Sequence, residues 1–294
     1  MRVFLLGATG TIGQAVLRAL IARGHEVVAL ARSEASAGKI AQLGGAVVRG
    51  DIGTPGQWLP GLPDVDGVIQ MACDFDSAMG ETERHLLDGL LPRLAASRRK
   101  VRFIYTGGCW LFGSTGDNVA TEDSALSPLP AFAWMVPHLQ RVLESRDIDG
   151  IVIHPAMVYG GDGGVFRRFE QDARECRAIR VVGSEAVRWP LVHCDDLADL
   201  YALALERAAP QSTYLGVATE GVPVGKIARA VAHRVGVAVP VIDIVSEDAA
   251  AQELGEWARG YVCDQRLSGA KARKELGWAP IHLDPTRDVM ELCA

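Results

Sequence analysis

A short apolar run, Val3-Phe4-Leu5-Leu6, leads straight into Gly7-Ala8-Thr9-Gly10-Thr11-Ile12-Gly13. Beyond it Ile12, Val16, Leu20 and Ile21 fall at helical spacing, with Gly24 as a stop. Strand, glycine turn and helix in that order leave few folds open. Glycine at the turn lets the backbone come close to a pyrophosphate. The phosphate charge then meets the free N–H groups and positive end of the helix. A glycine at the third place lets helix and strand pack closely. The spacing is GxxGxxG, and an ordinary strand–helix turn is the plainer alternative. Position, preceding strand and following helix together point to dinucleotide binding by Gly7, Thr9, Gly10, Thr11, Ile12 and Gly13.

Alternation of this kind continues to about residue 160. Strands are expected at 3–6, 26–31, 46–49, 68–72, 101–106 and 150–154, and helices at 11–23, 81–97 and 133–145. It requires parallel strands joined by right-handed crossovers, so the expected fold is α/β, a doubly wound parallel Rossmann sheet. The later part reads as separate helices: 197–207 capped by Asp195-Asp196, then 226–235, then 265–276 stopped by Gly277. The expected division is a dinucleotide-binding domain over 1–160, on which 191–219 packs in return. A small mixed carboxyl-terminal substrate lobe takes 161–190 and 220–294.

Composition narrows the partners. The 294 residues carry 30 Lys and Arg against 36 Asp and Glu, a net charge of −6. Nucleic acid and anionic membrane both reward a basic surface, so a small molecule is the expected partner. No apolar stretch reaches the length of about 18 residues that a membrane span needs. The first apolar run is too short for a secretory leader. Six cysteines stand far apart, with no CxxC and no metal-ligand spacing, which suits a reduced cytoplasmic compartment and no metal.

The choice of dinucleotide turns on the end of the second strand. An acid there would bond the ribose 2′-OH and repel a 2′-phosphate. The sequence instead offers Arg32, a planar fork for phosphate, and Ser33, a hydroxyl. NADP(H) is therefore expected over NAD(H). Asp51 and Ile52 follow the third strand, where a carboxylate and an apolar side chain suit adenine. Met71 and Ala72, at the end of the fourth strand, are expected to contact the cofactor too.

Together these residues resemble the extended short-chain dehydrogenase/reductase family, in its epimerase/dehydratase and atypical reductase branch. Gly7–Gly13 is similar to that family's cofactor loop, and Asp51-Ile52 to its adenine contact. Phe103-Ile104-Tyr105-Thr106 resembles the strand leading to its catalytic Ser or Thr. His154-Pro155-Ala156-Met157-Val158-Tyr159-Gly160 is similar to the RPxxVYG segment along the nicotinamide, which implies contacts from Pro155 and Met157. The 189–198 segment resembles a VHVDDLA return helix, and 264–278 the family's DQ…S…LGW stretch. The resemblance also implies a homodimer through the helices at 81–97 and 133–145.

The family's catalytic groups are a Ser or Thr and a YxxxK pair, whose Lys lowers the Tyr pKa for proton transfer. No tyrosine here has a lysine four residues on. Alignment puts Ala131 at the Tyr place, Met135 at the Lys place and Gly108 at the Ser place. Thr106, at the end of the fifth strand, can take over a substrate hydrogen bond. His138 suits acid/base work near neutral pH and lies one helical turn from Trp134. Pro137 leaves the facing of that helix open. Asp74, with Asp76 nearby, and Tyr159 are further acid/base candidates. Cys109, Trp110, Trp134 and Trp189 are expected to meet substrate. Each has a plainer reading as core or surface.

The leading expectation is an NADP(H)-dependent oxidoreductase on a small carbonyl or alcohol, with non-standard proton transfer by water, Thr106 or His138. Two rivals stay open. One is a non-redox isomerase, dehydratase or cyclase holding NADP as a structural element. The other is an NADP-sensing regulatory protein without turnover.

Overall fold

The computed structural model describes residues 1–75, 78–161, 163–175 and 178–291. Its first part alternates β1 (Arg2–Leu6), α1 (Thr11–Ala22), β2 (Glu26–Ala31), α2 (Glu34–Gln42), β3 (Ala46–Arg49) and β4 (Gly67–Gln70). There follow α3 (Met79–Ala95), β5 (Arg102–Thr106), α4 (Met135–Glu144) and β6 (Asp149–Pro155). The later part runs β7 (Met157–Tyr159), α5 (Arg167–Arg174), β8 (Ile179–Val182), β9 (Arg188–His193), α6 (Cys194–Arg207) and β10 (Ser212–Gly216). It closes with β11 (Thr219–Pro223), α7 (Val224–Arg234), β12 (Ile242–Val245), α8 (Glu247–Leu254), α9 (Ala270–Leu276) and α10 (Pro285–Glu291).

Seven strands form one parallel sheet in the order β10-β6-β5-β4-β1-β2-β3. Val3–Leu6, Val68, Ile69 and Phe103–Tyr105 are buried on both faces, as helix-covered parallel strands must be. β1 lies between β2 and β4, so the chain's direction of winding reverses there. A crevice opens outside the strand ends at that point.

The carboxyl-terminal part holds more strand than its sequence pattern announces. β11, β9 and β7 form a three-stranded sheet, and β12 pairs in parallel with β8. These strands are three to six residues long and take their partners from remote segments, so no local period marks them. The helix expected over 265–276 begins only at Ala270. Residues 265–268 are held extended: Gln265 N–H donates to Arg188 O, Leu267 N–H to Glu220 O and Ser268 N–H to Ala120 O.

Two helix starts also differ from expectation. α6 is capped by His193, not Asp195; His193 Nδ1 accepts the Asp195 N–H at 3.3 Å. α4 starts at Met135, after a 3₁₀ turn over Pro130–Phe132. Pro137 is therefore in the first turn, where its missing N–H would have no helical partner, and it breaks nothing. No described helix is long and apolar enough to cross a membrane.

Candidate functional site

The glycine loop closes tightly between β1 and α1. Gly7 has φ +88°, and a Cβ there would lie 2.7 Å from the Ala72 backbone nitrogen. At Gly13 a Cβ would lie 2.0 Å from the Gly7 carbonyl oxygen. Backbone crowds both positions, so only glycine fits. Gly10 caps α1 with no side-chain bond to the helix amides, which leaves the first turn's N–H groups to an outside acceptor. A Cβ at Gly163 would lie 2.3 Å from Thr11 Oγ1, so the loop after β7 lies over this turn. Such a cradle fits a pyrophosphate.

A hollow of about 450 Å³ lies beyond β2 and β3, lined by Arg32, Ser33, Arg49 and Asp51 among others. Arg32 is exposed and its Nη1 lies 3.1 Å from Asp74 Oδ1. Ser33 caps α2 by accepting the Ser36 N–H at 3.1 Å. Asp51 Oδ1 accepts the Gly53 N–H at 2.8 Å, while Ile52 packs partly against the core. The hollow thus holds two guanidinium groups, each facing a carboxylate: Arg32 beside Asp74 and Arg49 paired with Glu34.

The larger cavity, about 580 Å³, runs from the glycine loop along the ends of β4, β5 and β6. Gly7, Gly10, Thr11, Ile12, Gly13, Met71, Ala72, Thr106, Cys109, Trp110, Trp134, Pro155 and Met157 all line it. Thr9 lies outside this wall; its carbonyl accepts from Gln14. The Thr106 hydroxyl is 2.7 Å from that of Tyr201 on α6, which ties it to the core. One end of the cavity is aromatic. Phe75, Phe132, Trp134, Trp257 and Tyr261 join Trp110 there, with Trp110 and Trp257 stacked at 6.2 Å. A Cβ at Gly260 would lie 2.4 Å from the Trp110 ring, so a bare backbone supports the indole.

Several expected site residues lie elsewhere. His138 is buried behind Trp134, its ring 6.0 Å away, and is absent from the cavity wall; burial first, then Arg141, lowers its pKa. Tyr159 donates its hydroxyl to Asp288 at 2.6 Å and stacks on Phe166 at 4.9 Å, facing away from the cavity wall. Trp189 stacks on Phe169 at 6.0 Å and donates its indole N–H to Tyr261 O. Asp74 points to Arg32 at the edge and not into the cavity. Asp76 lies outside the described residues. Cys109 reaches the cavity, but burial and then Cys263 push its thiol up to about 12, far from a reactive thiolate. His193, Cys194 and Asp195 bring ligand-type atoms within 4.8 Å of one another. The helix cap and the Arg18–Asp195 pair already account for that grouping.

Gln70, Glu83 and Tyr105 line the cavity without any sequence signal. Glu83 reads in sequence as one more charge on a polar helix. Its burial arises only because α3 lays that face on β4 and β5.

The model of the NAD dependent epimerase/dehydratase family matches residues 3–216. An uncharacterized protein of Saccharomyces cerevisiae is 31% identical over 299 residues, covering 98% of each chain. The 2-alkyl-3-oxoalkanoate reductase of Stenotrophomonas maltophilia is 27% identical over 233 residues, covering 74% of this chain and 69% of its own. Among solved structures, the human epimerase family protein SDR39U1 with NADPH superimposes with a TM-score of 0.79 at 18% identity, covering 99% of this chain and 98% of its own.

Proposed function

The chain belongs to the NAD dependent epimerase/dehydratase family, and from that premise we propose that it is an NADP(H)-dependent oxidoreductase acting on a small, apolar carbonyl or alcohol. One observation carries the reading: a glycine cradle that admits no Cβ at Gly7 or Gly13 opens directly into a cavity with an aromatic end. Gly7, Gly10, Thr11, Ile12 and Gly13 would hold the pyrophosphate. Arg32, with Ser33 beside it, would receive the 2′-phosphate, and Asp51 and Ile52 the adenine. Met71, Ala72, Pro155 and Met157 would flank the nicotinamide half. Bound there, the dinucleotide supplies hydride chemistry, which is the cofactor's own.

What this chain adds is place and surroundings. Trp110, Phe132 and Trp257 offer ring faces to a flat apolar substrate. The reductase name of the Stenotrophomonas relative agrees with a carbonyl substrate. Thr106 lines the cavity, and its hydroxyl, paired with that of buried Tyr201, would bond a substrate oxygen in this reading.

Titration with NADPH and NADH, followed by nicotinamide fluorescence, tests the reading. NADPH is expected to bind at least about tenfold tighter, a difference of about 1.4 kcal/mol. Arg32→Ala should remove that preference. Asp74→Asn should enlarge it, because Arg32 loses its competing carboxylate. A panel of aryl and alkyl ketones should then consume NADPH absorbance, whereas sugar nucleotides should not. Product formed with no net change in the nicotinamide would move the assignment to a non-redox isomerase, dehydratase or cyclase. Failure to bind either dinucleotide would refute it.

A further inference from the structure

A carboxyl group with no cation beside it among the described residues forms part of the cavity wall. Glu83 lies near the start of α3, 4% exposed. Its Oε2 accepts from Gln70 Nε2 at 2.8 Å. Gln70 is itself fixed, since its amide oxygen accepts the Ala72 N–H at 3.1 Å and its amide nitrogen also donates to Ala72 O. Among the described residues the other carboxyl oxygen, Oε1, and the Tyr105 hydroxyl have no hydrogen bond of good geometry, but each is the other's near partner. The two side chains lie close enough to act on each other's charge, and both line the cavity. A carboxyl buried with only an amide and a loosely placed hydroxyl for company is costly to ionise, and proteins rarely bury one without a use.

We propose that Glu83, with Tyr105 beside it, is the proton-holding group of this cavity, standing in for the Tyr–Lys pair that the sequence lacks. The proposal rests on the reading of the cavity as a carbonyl-reducing site. Burial, the largest influence, pushes the Glu83 carboxyl up to about 7, while Gln70 and Tyr105 pull less strongly the other way. The group is therefore poised between its two forms near neutral pH, where acid/base work is most efficient. The groups that face the pair are Gln70 from β4, Cys73 just beyond it and each other. No Lys, Arg or His contributes to the state of Glu83 among the described residues. Burial and then Glu83 hold the Tyr105 proton in place, so its hydroxyl remains a donor.

The proton balance is simple. On reduction, the Glu83 O–H bond breaks and a new O–H bond forms on the substrate oxygen. Tyr105 can pass one proton on as it accepts another. The carbonyl carbon would take its hydride from a dihydronicotinamide bound at the glycine cradle, and the Glu83 carboxylate would regain its proton from water. Of the wall's other titratable groups, Cys109 is held up at about 12 and Tyr261 is raised by burial.

Two readouts test this. Infrared titration of the native protein should show a buried protonated carboxyl that ionises near pH 7, and Glu83→Gln should lack it. Reduction of an aryl ketone by NADPH should fall off above pH 7 in the native protein. Glu83→Gln should slow it at least about 100-fold and erase that limb, as loss of a general acid does, with NADPH affinity unchanged. Tyr105→Phe should slow the reaction less and keep the limb. Unchanged rate and pH profile in a folded Glu83→Gln protein would overturn the proposal, as would a carboxyl that ionises near pH 4–5. If the native protein binds no dinucleotide, the oxidoreductase reading falls. The infrared band then decides alone, supporting Glu83 only if an aryl ketone shifts its titration and overturning it otherwise.

Discussion

Glu83 and the loop glycines show how much a single position can be asked to do. The Glu83 carboxyl is raised from 4.5 to about 7 in the folded chain. Between those values the folded state holds a proton that the unfolded state has released. The stability this gives is fully present below pH 4.5 and is lost as pH rises through about 7. At 1.36 kcal/mol for each pH unit, the loss is about 3 kcal/mol. Urea melts of Glu83→Gln should match the native protein near pH 4 and exceed it by up to about 3 kcal/mol at pH 8; parallel curves at every pH would contradict this. The glycines divide differently. Gly13→Ala drives a Cβ onto the Gly7 carbonyl and should lose about 3 kcal/mol or more. At Gly10 the nearest atom is 3.5 Å away and φ is an ordinary −77°. Gly10→Ala should therefore stay within about 1 kcal/mol of native stability, yet weaken NADPH binding at least about tenfold by calorimetry. The glycines were legible because turn chemistry is local. Glu83 was not, because its burial depends on strands that the α3 sequence does not contain.

At the scale of elements, α6 ties the carboxyl-terminal tail to the sheet domain. Asp196, buried in its first turn, accepts Ile281 N–H at 3.0 Å and His282 N–H at 2.9 Å, and His282 Nδ1 lies 3.1 Å from it. Trp278 donates its indole N–H to the Asp196 carbonyl at 2.8 Å. Asp196→Ala should cost about 3 kcal/mol, the size expected when bonds to a buried carboxylate are lost together. Hydrogen exchange should rise at residues 281 and 282 and little in β1 or β4. Equal exchange throughout would mean that the tail is held by other contacts. The sequence marks the helix itself, through its apolar spacing and its two acids. It does not mark which residue caps it or which acid faces inward, because both depend on where the 278–282 segment returns. The short strands β7, β9 and β11 were hidden for the same reason. Each becomes a strand only when a remote segment satisfies its backbone.

Over the whole molecule, two buried groups set opposite pH trends. His154 lies beneath Gly107 and Gly108, its Nδ1 accepting the Gly108 N–H at 3.3 Å. Burial lowers its pKa from 6.5 to about 4. Its contribution is present above pH 6.5 and is lost as pH falls through about 4. Glu83 favours the folded state in the opposite direction, so between about pH 4.5 and 6.5 the two trends oppose. Unfolding free energies measured across that window should be flatter for the native protein than for either His154→Gln or Glu83→Gln. A steeper native curve would show that other groups dominate. What the sequence determined by itself was the parallel α/β sheet and the glycine cradle, since strand–helix periodicity and backbone freedom at Gly7 and Gly13 are properties of contiguous residues. Only the tertiary structure decided which polar side chains reach the cavity. It turned His138, Tyr159 and Trp189 into packing and brought Gln70, Glu83 and Tyr105 together from β4, α3 and β5. The physical reason is that a pocket is formed by surfaces from distant parts of the chain. Its electrostatics follow from the burial those surfaces create together.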